Sequence, residues 1–388
     1  MTDRRDFIKT LSLAGTSLLL PSPFAAASIN PEKTVPNYLS KYKDLYAKDP
    51  KAASLAWFNE AKYGLFMHYG LYSIWGRGAW VQLFEKTPVA EYRKLMNEFT
   101  ARKFDADFIT DLALESGMKY VNITTKHHDG FCLFKSAQTD YTSVHAAAKR
   151  DLVGELNAAC QKKGLGLFLY YSVAADWHHP YFPAKTAGWQ YFRPDYAQPQ
   201  PEYRYKTEKD AERYTAYVKA QLRELVTQYD PAGIWFDPVR GLYARPDLFP
   251  MEEFYREIRS LSPHALVSFK QGATGTEDFA APERKAASLA DQIQSDFGAE
   301  SAALAKRVWE AHHSKHNETC STLQRGAWSY EPEDNDKRRH LGVQEVMDLL
   351  ADAKSRNMNL LLNTGPLPEG DIHQGDAETL RKVGKLIG

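Results

Sequence analysis

Cysteine is scarce in this chain: Cys132, Cys160 and Cys320 are the only three among 388 residues. Three thiols build no disulfide framework, so they read as small buried hydrophobes in a fold that must rest on its apolar core. A surplus of either charge is also missing. The 49 lysines and arginines balance 49 aspartates and glutamates, which leaves no electrostatic reason to expect nucleic acid or an anionic membrane surface as partner. Internal repeats and low-complexity tracts are absent. Long apolar runs are absent too, apart from Leu11 to Leu20, which is too short to anchor in a bilayer.

That run reads as part of an address. Thr2 to Lys9 carries the pair Arg4-Arg5, the apolar run follows, and Ala25-Ala26-Ala27 closes the segment. This is the layout of a twin-arginine export signal. Residues 1–27 are therefore expected to be removed, leaving a periplasmic or secreted chain from about Ser28 with no membrane anchor. The remainder, residues 28–388, suits one large domain with insertions better than several small ones.

What is present is a repeated local pattern. Tyr120-Val121-Asn122-Ile123-Thr124-Thr125 runs into Lys126-His127-His128-Asp129-Gly130-Phe131. Gly64-Leu65-Phe66-Met67 runs into His68, Gly166-Leu167-Phe168-Leu169 into Tyr170-Tyr171-Ser172, and Gly233-Ile234-Trp235-Phe236 into Asp237. Four short apolar segments each deliver a polar side chain at the same end. Apolar runs of this length are buried strands, and in parallel α/β folds ligands bind at the strands' C-terminal ends. The expected architecture is a (β/α)8 barrel of the TIM type, somewhat irregular, with an enzyme's active site at that end.

Strands are expected near Tyr63–His68, Tyr120–Thr125, Leu165–Tyr171, Ile234–Asp237, Ala265–Phe269 and Asn357–Leu362. Helices are expected over Pro88–Glu98, Ala106–Ser116, Leu152–Lys163, Asp210–Tyr229, Met251–Leu261, Val343–Arg356 and Asp376–Ile387, and the segment from Gly272 to Asp334 reads as irregular. The long segment Ala174 to Tyr205, rich in proline and aromatics, reads equally as an active-site wall and as packing against the barrel.

The same residues resemble the family 29 α-L-fucosidases. The matching motifs are Trp57-Phe58, Gly64 to Gly70, Lys126 to Phe131, Tyr170-Tyr171-Ser172, Trp235-Phe236-Asp237, Glu318-Thr319-Cys320 and Asn359 to Pro366, in the family's order from about Trp57 to the C-terminus. Members commonly continue into a C-terminal β-sandwich, so a chain stopping at Gly388 resembles a barrel-only member. The resemblance implies retaining hydrolysis of terminal α-L-fucosyl residues from an oligosaccharide or glycoconjugate, with no cofactor and no metal. Aromatics at 13% of the chain suit such a site, because flat rings stack on the apolar faces of pyranoses.

Retention requires two carboxyl groups about 5–5.5 Å apart, one as nucleophile and one as acid/base. Asp237 ends an apolar strand, where a carboxylate needs a role or a partner, and it matches the family's nucleophile. Pro238 stands where the family usually has glycine. The acid/base lies on a variable loop, so the resemblance leaves Glu283, Glu277 and Glu318 as candidates, Glu283 first. His68, His127 and His128 resemble the family's hydroxyl-binding histidines, and Trp80 a tryptophan flanking the sugar. Before Trp80 stands Ala79, where many members carry glutamate. Phe66, Tyr171 and Trp235 match positions facing the sugar's methyl group. Arg240 and Lys270 are cations that could keep Asp237 ionised.

Two rival readings stand beside this one. A non-catalytic sugar-binding protein is compatible with Pro238 and Ala79. A metal-dependent barrel hydrolase would draw on His127, His128, Asp129, His178, His179, His312, His313 and His316, although neighbouring residues on a strand point to opposite faces and make poor chelates.

Overall fold

A computed structural model describes residues 34–283, 288–332 and 339–388, so the signal expected at residues 1–27 lies outside the described residues. Eight parallel strands follow one another: β1 (Tyr63–Met67), β2 (Tyr120–Lys126), β3 (Gly166–Ser172), β4 (Gly233–Asp237), β5 (Leu266–Phe269), β6 (Phe279–Ala280), β7 (Glu318–Thr322) and β8 (Asn359–Thr364). They pair in the order β6-β5-β4-β3-β2-β1-β8-β7. Between β6 and β7 a lone parallel bridge, Glu283 with Cys320, brings the two edges together. Cys320 N–H donates to Pro282 C=O at 3.2 Å there. The sheet is thus a nearly closed barrel, with its seam at Glu283.

Each strand alternates between two cores. Outward residues such as Leu65, Ile123, Leu169, Ile234, Val267 and Leu362 pack against the surrounding helices. Inward residues such as Phe66, Tyr120, Phe168, Tyr170, Trp235, Cys320 and Leu361 fill the barrel with Trp57 and Phe58 of the helix Pro50–Ala61. The interior is narrow, which explains the glycines that open three of the apolar runs. A Cβ on Gly64 would lie 2.3 Å from the Tyr120 ring, and one on Gly166 would lie 2.4 Å from Trp57.

Helices sit where the periodicity puts them: Ala106–Glu115, Leu152–Lys163, Ala211–Tyr229, Met251–Leu261, Val343–Ser355 and Gln374–Ile387. Asp105 and Asp151 cap two of them by accepting from Phe108 N–H and Gly154 N–H. Pro88–Glu98 departs from expectation, forming a short α-helix at Val89–Tyr92 and a 3-10 turn at Arg93–Asn97.

The segment expected to be irregular, Gly272 to Asp334, holds β6, β7 and the helices Ala290–Phe297 and Ala299–Ala311. β6 has two residues, below any pattern window. β7 reads Glu-Thr-Cys-Ser-Thr, so its burial is carried by hydrogen-bonded polar groups rather than an apolar run. After β8 the described residues form a loop and the final helix, with no β-sandwich among them. No helix among the described residues is long and apolar enough to cross a membrane.

Candidate active site

At the C-terminal ends of the strands a cavity is lined by Phe66, His68, Ala79, Trp80, His127, His128, Tyr170, Trp189, Trp235, Asp237, Pro238, Val239, Arg240, Lys270, Glu283 and Trp328. Strand alternation decides which groups reach it. In β4, Trp235 and Asp237 face inward while Ile234 and Phe236 face the helices. Trp235 is level with Ser268 of β5, so Lys270, two residues on, rises beside Asp237.

Asp237 is 5% exposed, and burial pushes its carboxyl above the usual range while the Lys270 ammonium pulls it back. Tyr170 OH donates to Asp237 Oδ2 at 2.9 Å, and Oδ1 has no hydrogen-bond partner. Lys270 Nζ lies 3.6 Å from Oδ1 and also contacts Glu283 Oε1. Two carboxylates from separate strand ends therefore face one ammonium. The Glu283 side chain is 34% exposed, open enough to meet a group arriving from solvent. Arg240 also lines the cavity, but its guanidinium pairs with Asp296 at 2.7 Å.

Hydrogen bonds fix which nitrogen of His128 and of His68 carries the proton. Ser172 OH donates to Ala175 C=O at 2.6 Å, so its oxygen accepts from His128 Nδ1 at 2.7 Å. Asn363 Nδ2 donates to Trp328 C=O at 2.6 Å, which turns Oδ1 toward His68 Nδ1, also at 2.6 Å. Both rings thus carry their proton on Nδ1 and leave Nε2 as an acceptor. His128 Nε2 lies 3.8 Å from Asp237 Oδ2. Burial holds all three histidines below their ordinary range, His68 down to about 3, so they are neutral at pH 7. His127 packs face to face with Tyr170 and its Nδ1 is buried without a hydrogen-bond partner.

Aromatic rings pack among these polar groups in the cavity wall. Phe66 meets Trp235 edge-on at 5.5 Å and Tyr170 stacks on Trp235 at 5.5 Å. Trp80 and Trp189 pack at 6.4 Å, and Trp80 meets His128 edge-on at 4.8 Å. Within the aromatic segment after β3, Trp189 reaches the cavity while Trp177, Phe182 and Phe192 are buried in packing. The segment is both wall and core.

Three expected residues lie elsewhere. Tyr171 faces the helices: its hydroxyl donates to Gln221 at 2.7 Å and its ring covers the buried Lys126 ammonium. Tyr170, level with Trp235, takes the inward place. Glu277 is enclosed near β6, accepting from the Ala273, Thr274 and Gly275 amides and from Tyr255 OH, with His312 beside it. These donors hold its carboxyl down to about 2, so it is a structural anion. Glu318 sits inside the barrel, where burial pushes its carboxyl up to about 8 and Tyr120 and Trp235 donate to it.

The metal-binding rival set does not converge. His178 stacks on Tyr141, His312 pairs with Glu277, and His313 and His316 line a groove with Lys62 and Asn357, before the starts of β1 and β8. Among the described residues the one group of three donors close enough to share an ion is His340, His373 and Asp376, none of which lines the cavity.

The sequence assigned no individual site role to Tyr170, Trp189, Trp328, Ser172 or Asn363. The parity of β3 against β4 could have found Tyr170. Trp189 lies in the aromatic segment and Ser172 and Asn363 in matched motifs, but their particular roles, like that of Trp328, arise from contacts across the barrel.

Residues 30–388 match the sequence model of the alpha-L-fucosidase family. The chain is 29% identical to the plasma alpha-L-fucosidase of Rattus norvegicus, over 86% of this chain and 68% of that protein. In structure it resembles alpha-L-fucosidase isoenzyme 1 from Paenibacillus thiaminolyticus, at a TM-score of 0.69 and 32% identity over 87% of this chain and 76% of that one. It also resembles alpha-L-fucosidase AlfC from Lactobacillus casei in complex with its α-L-fucose product, at a TM-score of 0.66 and 27% identity over 86% and 98%. A trapped covalent intermediate of an alpha-L-fucosidase from Bacteroides thetaiotaomicron aligns at a TM-score of 0.68 and 26% identity over 87% and 74%.

Proposed function

The chain belongs to the alpha-L-fucosidase family, and on that premise we propose that it removes terminal α-L-fucosyl residues from oligosaccharides or glycoconjugates with retention, Asp237 being the nucleophile and Glu283 the acid/base. The observation that carries this reading is the pair of carboxylates meeting at Lys270. Lys270 lies 3.6 Å from Asp237 Oδ1 and in direct contact with Glu283 Oε1, which holds these two oxygens closer than the roughly 6.5 Å at which inverting pairs begin.

In the first step the unbonded Asp237 Oδ1 attacks the anomeric carbon as Glu283 protonates the departing glycosidic oxygen. In the second, Glu283 takes a proton from water, whose oxygen displaces the Asp237 carboxylate. His68 and His128 accept hydrogen bonds from ring hydroxyls through Nε2, while Phe66 and Trp235 supply an apolar slot for the methyl of a 6-deoxy sugar. Tyr170 OH holds Oδ2 and so fixes the plane of the attacking carboxylate.

Export by the twin-arginine route to the periplasm or beyond is part of the same proposal. It is supported by Arg4-Arg5, the apolar Leu11 to Leu20 and Ala25 to Ala27. Fractionation of cells expressing the full chain and an Arg4→Lys, Arg5→Lys variant tests it; equal export of the two chains would remove the claim.

The activity test is hydrolysis of an aryl α-L-fucoside by wild type and Asp237→Ala, with the anomer first released read by NMR. Wild type should release α-L-fucose and the variant none. Release of the β anomer, or an active Asp237→Ala, would overturn the mechanism.

A further inference from the structure

We propose that Lys270 is a counter-ion that serves both carboxylates in turn, shared with Asp237 before fucosyl transfer and left to Glu283 alone after it. The inference rests on the proposed roles of Asp237 and Glu283 and deepens them. Lys270 follows β5, between Asp237 at the end of β4 and Glu283 at the seam, and its side chain is 21% exposed. Its ammonium lies 3.6 Å from Asp237 Oδ1 and contacts Glu283 Oε1. Two carboxyl groups compete for one ammonium.

The charge balance of the reaction gives this arrangement its use. Before transfer, Asp237 is ionised and Glu283 holds a proton, so with Lys270 the three groups sum to zero. In the first step a bond forms between the anomeric carbon and Asp237 and the glycosidic bond breaks. The Glu283 proton goes to the departing oxygen. Asp237 is now a neutral ester and Glu283 an anion, and with Lys270 the sum is again zero. The second step reverses this: Glu283 takes a proton from water, hydroxide oxygen bonds to the anomeric carbon, and Asp237 leaves as a carboxylate. One negative charge moves from Asp237 to Glu283 and back, and the ammonium is already in contact with both positions. An opposite charge therefore stands beside each carboxylate as it ionises.

The competition also changes the acidity of Glu283 in the direction the chemistry needs. While Asp237 is ionised, its charge favours a protonated Glu283 and it takes part of the lysine's field. Once Asp237 is esterified that repulsion vanishes and the ammonium favours an ionised Glu283. Among the described residues, the other titratable groups whose charge bears on Lys270 include the Cys320 thiol of β7, which burial keeps neutral, and His68, His127 and His128, also neutral.

The test is the pH dependence of each step in Lys270→Met and Lys270→Arg. An aryl fucoside with an acidic phenol as leaving group separates the phenol burst from the slower turnover. Without the ammonium both carboxylates hold their protons to higher pH. In Lys270→Met the acidic limbs of kcat/KM and of the deglycosylation rate should therefore each move up by about one pH unit or more. Fucosyl-enzyme should accumulate at acidic pH and clear as pH rises, and Lys270→Arg should restore wild-type positions. A Lys270→Met enzyme with lower rates but unmoved limbs, or a Lys270→Arg enzyme as shifted as Lys270→Met, overturns the inference. Thermal melting of both variants distinguishes misfolding, and Lys270→Gln, which keeps a polar head without charge, must reproduce the Lys270→Met shift. An inactive wild type or an active Asp237→Ala would instead refute the underlying mechanism.

Discussion

Trp235 Nε1 donates to Glu318 Oε1 at 3.2 Å, so a carboxyl buried inside the barrel holds the indole that lines the cavity. Tyr120 OH donates to the other oxygen at 2.5 Å. Glu318 supports the site from beneath without reaching it, through a residue that does.

This pairing has a measurable pH signature. Burial raises the Glu318 carboxyl to about 8, above its unfolded value near 4.3. Between those two values the native state holds a proton that the unfolded chain has released, so Glu318 lowers stability as pH rises through that window. Glu318→Gln should flatten the fall in thermal midpoint between about pH 5 and 8. An unchanged slope would show that the carboxyl titrates normally. Glu318→Ala should cost more, about 1–3 kcal/mol for each donor left unpaired.

The nucleophile assignment predicts a loss without substitute. Asp237→Asn should leave the fold intact and turnover nearly nil, because an amide cannot form the ester. Azide should restore activity to Asp237→Gly by occupying the vacated space and attacking in its place. Retention of more than about a tenth of the wild-type rate by Asp237→Asn, well short of a loss worth several kcal/mol, would defeat the assignment.

Removing an acceptor from the sugar should weaken transition-state binding. His68→Ala and His128→Ala should each lower kcat/KM by about 1–3 kcal/mol, roughly five- to 150-fold. Because both rings are neutral at pH 7, these losses should not vary between pH 6 and 8. If kcat/KM is unchanged in both variants, the histidines are packing residues.

Leaving-group dependence separates Glu283 from Glu277. Glu283→Gln should cripple cleavage of fucosyl-oligosaccharides yet slow the first step far less for aryl fucosides with acidic phenols, which need no protonation. Fucosyl-enzyme should then accumulate. Glu277→Gln should show no such dependence and should instead destabilise the loop it ties through three backbone amides. Equal loss on good and poor leaving groups for Glu283→Gln would exclude it as the acid.

Much of the scaffold was legible because it follows from period and composition. β1 to β5 and β8 announce themselves as apolar runs ending in polar residues, and Asp237, His68, His127 and His128 stand at those ends. β6 and β7 do not, since one has two residues and the other has Cys320 alone among four polar residues. The parity of a strand is a weaker signal than its existence. Tyr170 and Tyr171 are chemically identical neighbours, and only pairing with β4 turns Tyr170 inward and Tyr171 toward Gln221.

The amino-acid order by itself determined the barrel class, the strand ends that carry chemistry and Asp237 as an acid in an apolar strand, because hydrophobic burial and alternation act locally along the chain. The choice among the three glutamates belonged to tertiary structure. All three are ionisable residues in the same half of the chain. Only closure of the seam at Cys320 brings Glu283 to the ammonium that Asp237 shares, while the same folding encloses Glu277 in amides and seals Glu318 within the barrel. A carboxyl's role is set by the field and solvent around it, and these come from residues distant in sequence.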